Sequence, residues 1–148
     1  MEETRLERRA CQRFKIPGAT ASYAKEKVAL KKKEVYSEEF CPVVDISRGG
    51  VQFLSQKPLK YQERLSLKIS IPGEKVPLTL KGEVRWTSLN PGKSYKYQIG
   101  VQFYPYGEKE DQNYPGNLVK IIALEQKFVD RTEISEKEDE SKKDEFSI

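Results

Sequence analysis

A chain of 148 residues can form one domain with a true core, but 34% of it is charged and its mean hydropathy is −0.75, so part of it should lie outside any packed interior. Histidine is absent, which removes the usual general base of serine and cysteine hydrolases and the commonest transition-metal ligand. No apolar run is long enough to cross a bilayer, and the opening MEETRLERRA is charged instead of apolar.

Asp and Glu are scattered and never pair at predicted strand ends, so neither an enzyme, a metal site nor a bound cofactor is expected. A cytoplasmic protein without membrane insertion is the expectation. Cys11 and Cys41 are too few for a disulfide framework and too far apart for a redox or metal pair. Reduced thiols follow, with Cys41 buried in a strand. The net charge of +4 conceals an asymmetry. Basic residues dominate from Arg5 to Lys33, which suggests an anionic partner, and acids dominate from Asp130 onward.

Residues 1–13 read as a flexible basic arm without an apolar stripe. Residues 14–24 read as a strand broken at Pro17-Gly18. The charged segment Lys25–Glu39, with Lys31-Lys32-Lys33, reads as a solvated strand end or hairpin loop. Then comes the corner Asp45-Ile46-Ser47-Arg48-Gly49-Gly50, set between the apolar run Phe40–Val44 and the alternating Val51–Leu54. Gly49 or Gly50 is expected to supply a left-handed turn residue. Alone, this corner is a β-turn with an Asx or Ser cap.

Further strands follow with period two. Arg64–Ile71 alternates strictly. Val76–Leu89 places Val76, Leu78, Leu80, Gly82, Val84 and Trp86 on one face. Tyr95–Tyr104 does the same with Tyr95, Tyr97, Ile99, Val101 and Phe103. Pro72-Gly73-Glu74 and Asn90-Pro91-Gly92-Lys93 are turns. The links are too short for helical crossovers, so the six strands should pair antiparallel, and closure into a barrel would remove exposed edges. At Asn117, expected as an N-cap, the period becomes helical. Leu118, Ile121, Ile122 and Phe128 share a face, and Lys120, Glu125 and Lys127 lie opposite. The reading is therefore all-β with a C-terminal helix: arm 1–13, barrel and helix 14–130, and a charged, disordered tail 131–148.

Two features carry chemistry. Arg9 and Arg13 are four residues apart and could share one ligand; Arg5 and Arg9 have the same spacing, which leaves the register open. Guanidinium forks suit phosphate and the O6/N7 edge of guanine. At the corner, Asp45 can accept from a guanine N1–H and N2–H₂ edge, Ser47 can donate to a phosphate or ribose oxygen, and Gly49 and Gly50 leave backbone open to close approach. The two together suit a guanine nucleotide with phosphates.

Arg9-x-x-x-Arg13 followed by Asp45-x-Ser47-x-x-Gly50 resembles the two-part signature of the PilZ domain family, bacterial receptors for the second messenger cyclic di-GMP. Val84-Arg85-Trp86 and Ile99-Gly100-Val101-Gln102-Phe103 resemble the family's later strands, and the likeness covers roughly residues 7–128. It implies a six-stranded antiparallel PilZ-type β-barrel. It also implies that Arg9 and Arg13 clamp phosphates and guanine edges from the arm, while Asp45 and Ser47 bond the ligand and Gly50 keeps the turn open. An arginine at the position of Arg8 accompanies two intercalated ligand molecules in the family, so two per chain are expected. Trp86 could pack near a base, although a tryptophan on an alternating strand reads first as core. A dianionic nucleotide would draw the like-charged arm onto the barrel, and the reshaped surface would address an effector protein. Two other readings remain: a PilZ-like scaffold that binds no ligand, and, disfavoured, a barrel that binds single-stranded nucleic acid, which high salt should weaken.

Overall fold

The computed structural model describes residues 12–26, 36–91 and 94–129. Of the expected arm only Gln12 and Arg13 fall within this range, and the expected tail lies outside it. Six strands form the body: β1 Thr20–Lys25, β2 Glu38–Ser47, β3 Gly50–Ser55, β4 Arg64–Ser70, β5 Leu78–Leu89 and β6 Tyr97–Phe103. They pair antiparallel in the order β1-β2-β3-β6-β5-β4, and β1 also pairs with β4, which closes the barrel. Helix α1 spans 115–129.

The period-two alternation works as expected in β4, where Leu65, Leu67 and Ile69 are buried and Arg64 and Lys68 are exposed. Its inward residues meet Tyr23, Phe53, Ile46, Leu80, Val84 and Ile99 in one interior cluster. Each buried aliphatic side chain there contributes about 1.5–3 kcal/mol relative to exposure. Cys41 is buried within this cluster, and its thiol is pushed up to about 12, first by burial and then by the nearby charge of Glu38. Tyr23 donates its hydroxyl to Glu38, and burial followed by that bond raises its pKa.

Three expectations change along β5 and α1. The strand Val76–Leu89 begins at Leu78 and contains a bulge: Val84 pairs with Val101 but Trp86 pairs with Gly100, leaving Arg85 as the extra residue. One extra residue reverses the parity of everything after it. Trp86 therefore leaves the core face and is 37% exposed, while Thr87 bonds Leu59 O at 2.7 Å. Val76, ahead of the strand, is exposed. The second change is at the helix start. Helix α1 begins two residues before Asn117, with Pro115 in the first turn where its missing N–H costs nothing. Asn117 instead donates to Thr79 O at 2.9 Å, and Asn113 pairs with both backbone groups of Lys81, so the two amides fasten this segment to β5. Third, Glu125 belongs to the buried face of α1 beside Ile121 and Leu124.

The corner is a two-residue turn, Arg48-Gly49, between β2 and β3. Its glycines are not left-handed; among the described residues Gly18 and Gly73 are the positive-φ glycines, at 79° and 90°. Gly50 is required for a different reason: a Cβ at this position would overlap the carbonyl oxygen of Val101 on β6. Backbone cannot yield as a flexible side chain can. Gly50→Ala should therefore lower unfolding free energy by about 1–3 kcal/mol in urea titration; a midpoint equal to that of the unsubstituted chain would refute the close approach.

Candidate functional site

The chain before β1 returns to the end of β2 through Phe14, whose backbone N–H and C=O exchange hydrogen bonds of 2.9 Å with Ile46. Phe14 and Ile46 are 3% and 0% exposed. Alternation then sends their neighbours Arg13 and Asp45 to the outer side, with Ser47 in the same phase but covered. There the Arg13 Nη1 donates to Asp45 Oδ1 at 2.7 Å. The sequence features expected to act together thus meet in Arg13 and Asp45, which are 32 residues apart. Arg5, Arg8 and Arg9 lie outside the described residues.

Ser47 is 2% exposed, and its Oγ accepts the Gly49 N–H at 3.2 Å. This is the turn-capping contact that the corner alone would call for. The hydroxyl proton is left for a further acceptor, since a serine hydroxyl both donates and accepts. Gly49 O accepts from Phe103 N at 2.8 Å.

From Asp45 a lateral row crosses the outer face of the barrel. Asp45 pairs with Gln52, Gln52 with Gly100, and Gly100 with Trp86, on β2, β3, β6 and β5 in turn. Three inter-strand spacings make this row roughly 14 Å long. A Cβ on Gly100 would overlap the Trp86 indole, so the ring lies directly against the glycine backbone, and the residue is partly exposed. Gln52 stands between them and accepts from Gln98 Nε2 at 3.0 Å. The row therefore offers an acid, an amide, a flat bare stretch and an aromatic face, which suits a planar base with donors on one edge. Gln52 was not visible in the sequence, because its place beside Asp45 depends on register across the β2–β3 hairpin. Trp86 joins the row only through the bulge at Arg85.

The electrostatics favour an exchangeable site. Arg13 is partly exposed (40% of its side chain) and Asp45 less so, and an ion pair of this kind contributes about 0–1 kcal/mol. An open groove of about 520 Å³ lies elsewhere, between residues 71–78 and Lys120, Leu124 and Lys127 of α1. It shares no residue with the corner or the row.

Residues 7–119 match the family model described as PilZ domain. No curated protein matches the chain. Among solved structures, that of the Bacillus subtilis Inhibitor of motility (MotI/DgrA) is similar, with a TM-score of 0.56 and 19% identity over 84% of this chain and 51% of that one. The likeness is one of fold, and the chain spans about half the length of that structure. Because the Arg13–Asp45 pair is partly solvated, Asp45→Asn should change the unfolding free energy by less than about 1 kcal/mol in urea titration; a larger loss would make the pair a structural bond.

Proposed function

Because the chain belongs to the PilZ domain family, we propose that it is a receptor for cyclic di-GMP that binds the nucleotide between Arg13 and the Asp45–Gly50 corner and signals to an effector protein. The observation that carries the reading is the 2.7 Å contact between Arg13 and Asp45, one residue from each half of the signature.

Binding proceeds as an exchange of partners. Without ligand, Arg13 and Asp45 satisfy each other. A guanine N1–H and N2–H₂ edge replaces the guanidinium as donor to Asp45, and a phosphate replaces the carboxylate as acceptor for Arg13. Each charged group exchanges one partner for another, so no buried charge is left bare. Arg9 and Arg8 join Arg13 on the two phosphates, and the arm closes on the barrel once its like charges are neutralised. Ser47 caps the turn through the Gly49 N–H, and Gly49 and Gly50 keep the turn free of side chains. The Trp86 indole stacks a base at the far end of the row. The ordered arm and the ligand then form the surface that an effector meets.

Isothermal titration with cyclic di-GMP tests the reading. The unsubstituted chain should bind in the micromolar range with two nucleotides per chain. Arg13→Ala and Arg9→Ala should each weaken binding by at least about tenfold, the loss expected for one charge-assisted hydrogen bond, with the thermal transition nearly unmoved. No heat of binding in the unsubstituted chain, or full affinity in both variants, would reject the proposal. A clean one-to-one isotherm would reject the two-molecule stoichiometry alone.

A further inference from the structure

Arg48 stands inside the corner, between Ser47 and Gly49, and its side chain turns away from Asp45 toward the helix. Its Nε and Nη2 both bond Glu125 Oε2 of α1, at 2.9 and 2.8 Å. Glu125 is 6% exposed. A carboxylate at that depth needs a cation, and Arg48 supplies it with two donors that converge on one oxygen. Two more bonds converge on the same turn. Tyr106 donates its hydroxyl to Arg48 O at 2.7 Å, and burial pushes that phenol up to about 12, so it remains a donor. Phe103 N donates to Gly49 O at 2.8 Å. The backbone that carries Asp45 and Ser47 is therefore held from behind by the end of β6, the segment after it and α1.

We propose that Glu125 is a positioning residue for the nucleotide corner: through Arg48 it fixes the Ser47–Gly50 backbone, so that occupancy of the corner and docking of α1 are thermodynamically coupled. The proposal rests on the nucleotide reading above. Withdrawing Arg48 to serve the ligand directly would strand a buried carboxylate, so the pair acts by holding the turn and not as a reserve of positive charge. A held turn presents the Asp45 carboxylate without further ordering on binding, which raises affinity. Linkage makes the effect reciprocal: a ligand that favours the held turn also favours the docked helix, at a distance from any contact with it.

The test uses the full chain, amide hydrogen exchange with and without cyclic di-GMP, and calorimetric titration. In the unsubstituted protein, ligand should slow exchange across 118–129. In Glu125→Gln the ligand should no longer slow those amides, exchange at Ser47–Val51 should speed up without ligand, and the dissociation constant should rise about tenfold. If Glu125→Gln loses its cooperative transition, Arg48→Lys provides the same comparison, since it keeps the charge but not the two-pronged hold. A pair with a structural role only would lower the melting temperature yet leave affinity and ligand-dependent slowing of α1 intact in the variants; that result overturns the coupling and leaves the receptor reading standing. An unsubstituted chain that binds no nucleotide overturns both, and its own titration identifies that case.

Discussion

Two reciprocal backbone hydrogen bonds of 2.9 Å between Phe14 and Ile46 hold the root of the N-terminal segment against the end of β2. Both side chains are buried in the barrel, so opening this short pairing would also expose apolar surface. The pairing fixes the phase of both segments. With Phe14 and Ile46 inside, Arg13 and Asp45 lie on the outer side and meet at 2.7 Å, while Ser47, in the same phase, stays covered at the turn. Residues separated by most of β1 and β2 become one site through the parity of a strand and one bridge.

The barrel extends that site in two directions. Sideways, strict register carries Asp45 to Gln52, Gly100 and Trp86, where glycine keeps the surface flat and the indole ends it. Behind, Arg48 reaches Glu125 and ties the turn to α1. The two sides have different energetic character. The Arg13–Asp45 pair is partly solvated and exchangeable, whereas Glu125 is buried and its pair is costly to break. A firm rear and an exchangeable front fit the proposed receptor, whose scaffold would persist while a ligand came and went.

Much of this was legible in the sequence. Alternation in Arg64–Ile71 and Tyr95–Tyr104 gave the strands that run Arg64–Ser70 and Tyr97–Phe103, and the short links gave antiparallel pairing. Of the two-part signature, the meeting of Arg13 and Asp45 was readable because their chemistry is carried by residue type and spacing. The rest depended on partners distant in sequence. Glu125 reads as solvent-facing on a helical wheel because its partner Arg48 is 77 residues away. Trp86 reads as core because alternation cannot register the single extra residue at Arg85. Gly50 reads as a turn glycine, although its constraint comes from the Val101 carbonyl on another strand.

Trp86 is the only tryptophan in the chain, so its emission reports on the far end of the row. Titrating cyclic di-GMP while following that emission tests most directly whether the nucleotide lies along Asp45, Gln52, Gly100 and Trp86. A saturable change that is lost in Arg13→Ala is the predicted result. Nucleotide bound by calorimetry with Trp86 emission unchanged throughout would contradict it and put the ligand elsewhere on the barrel.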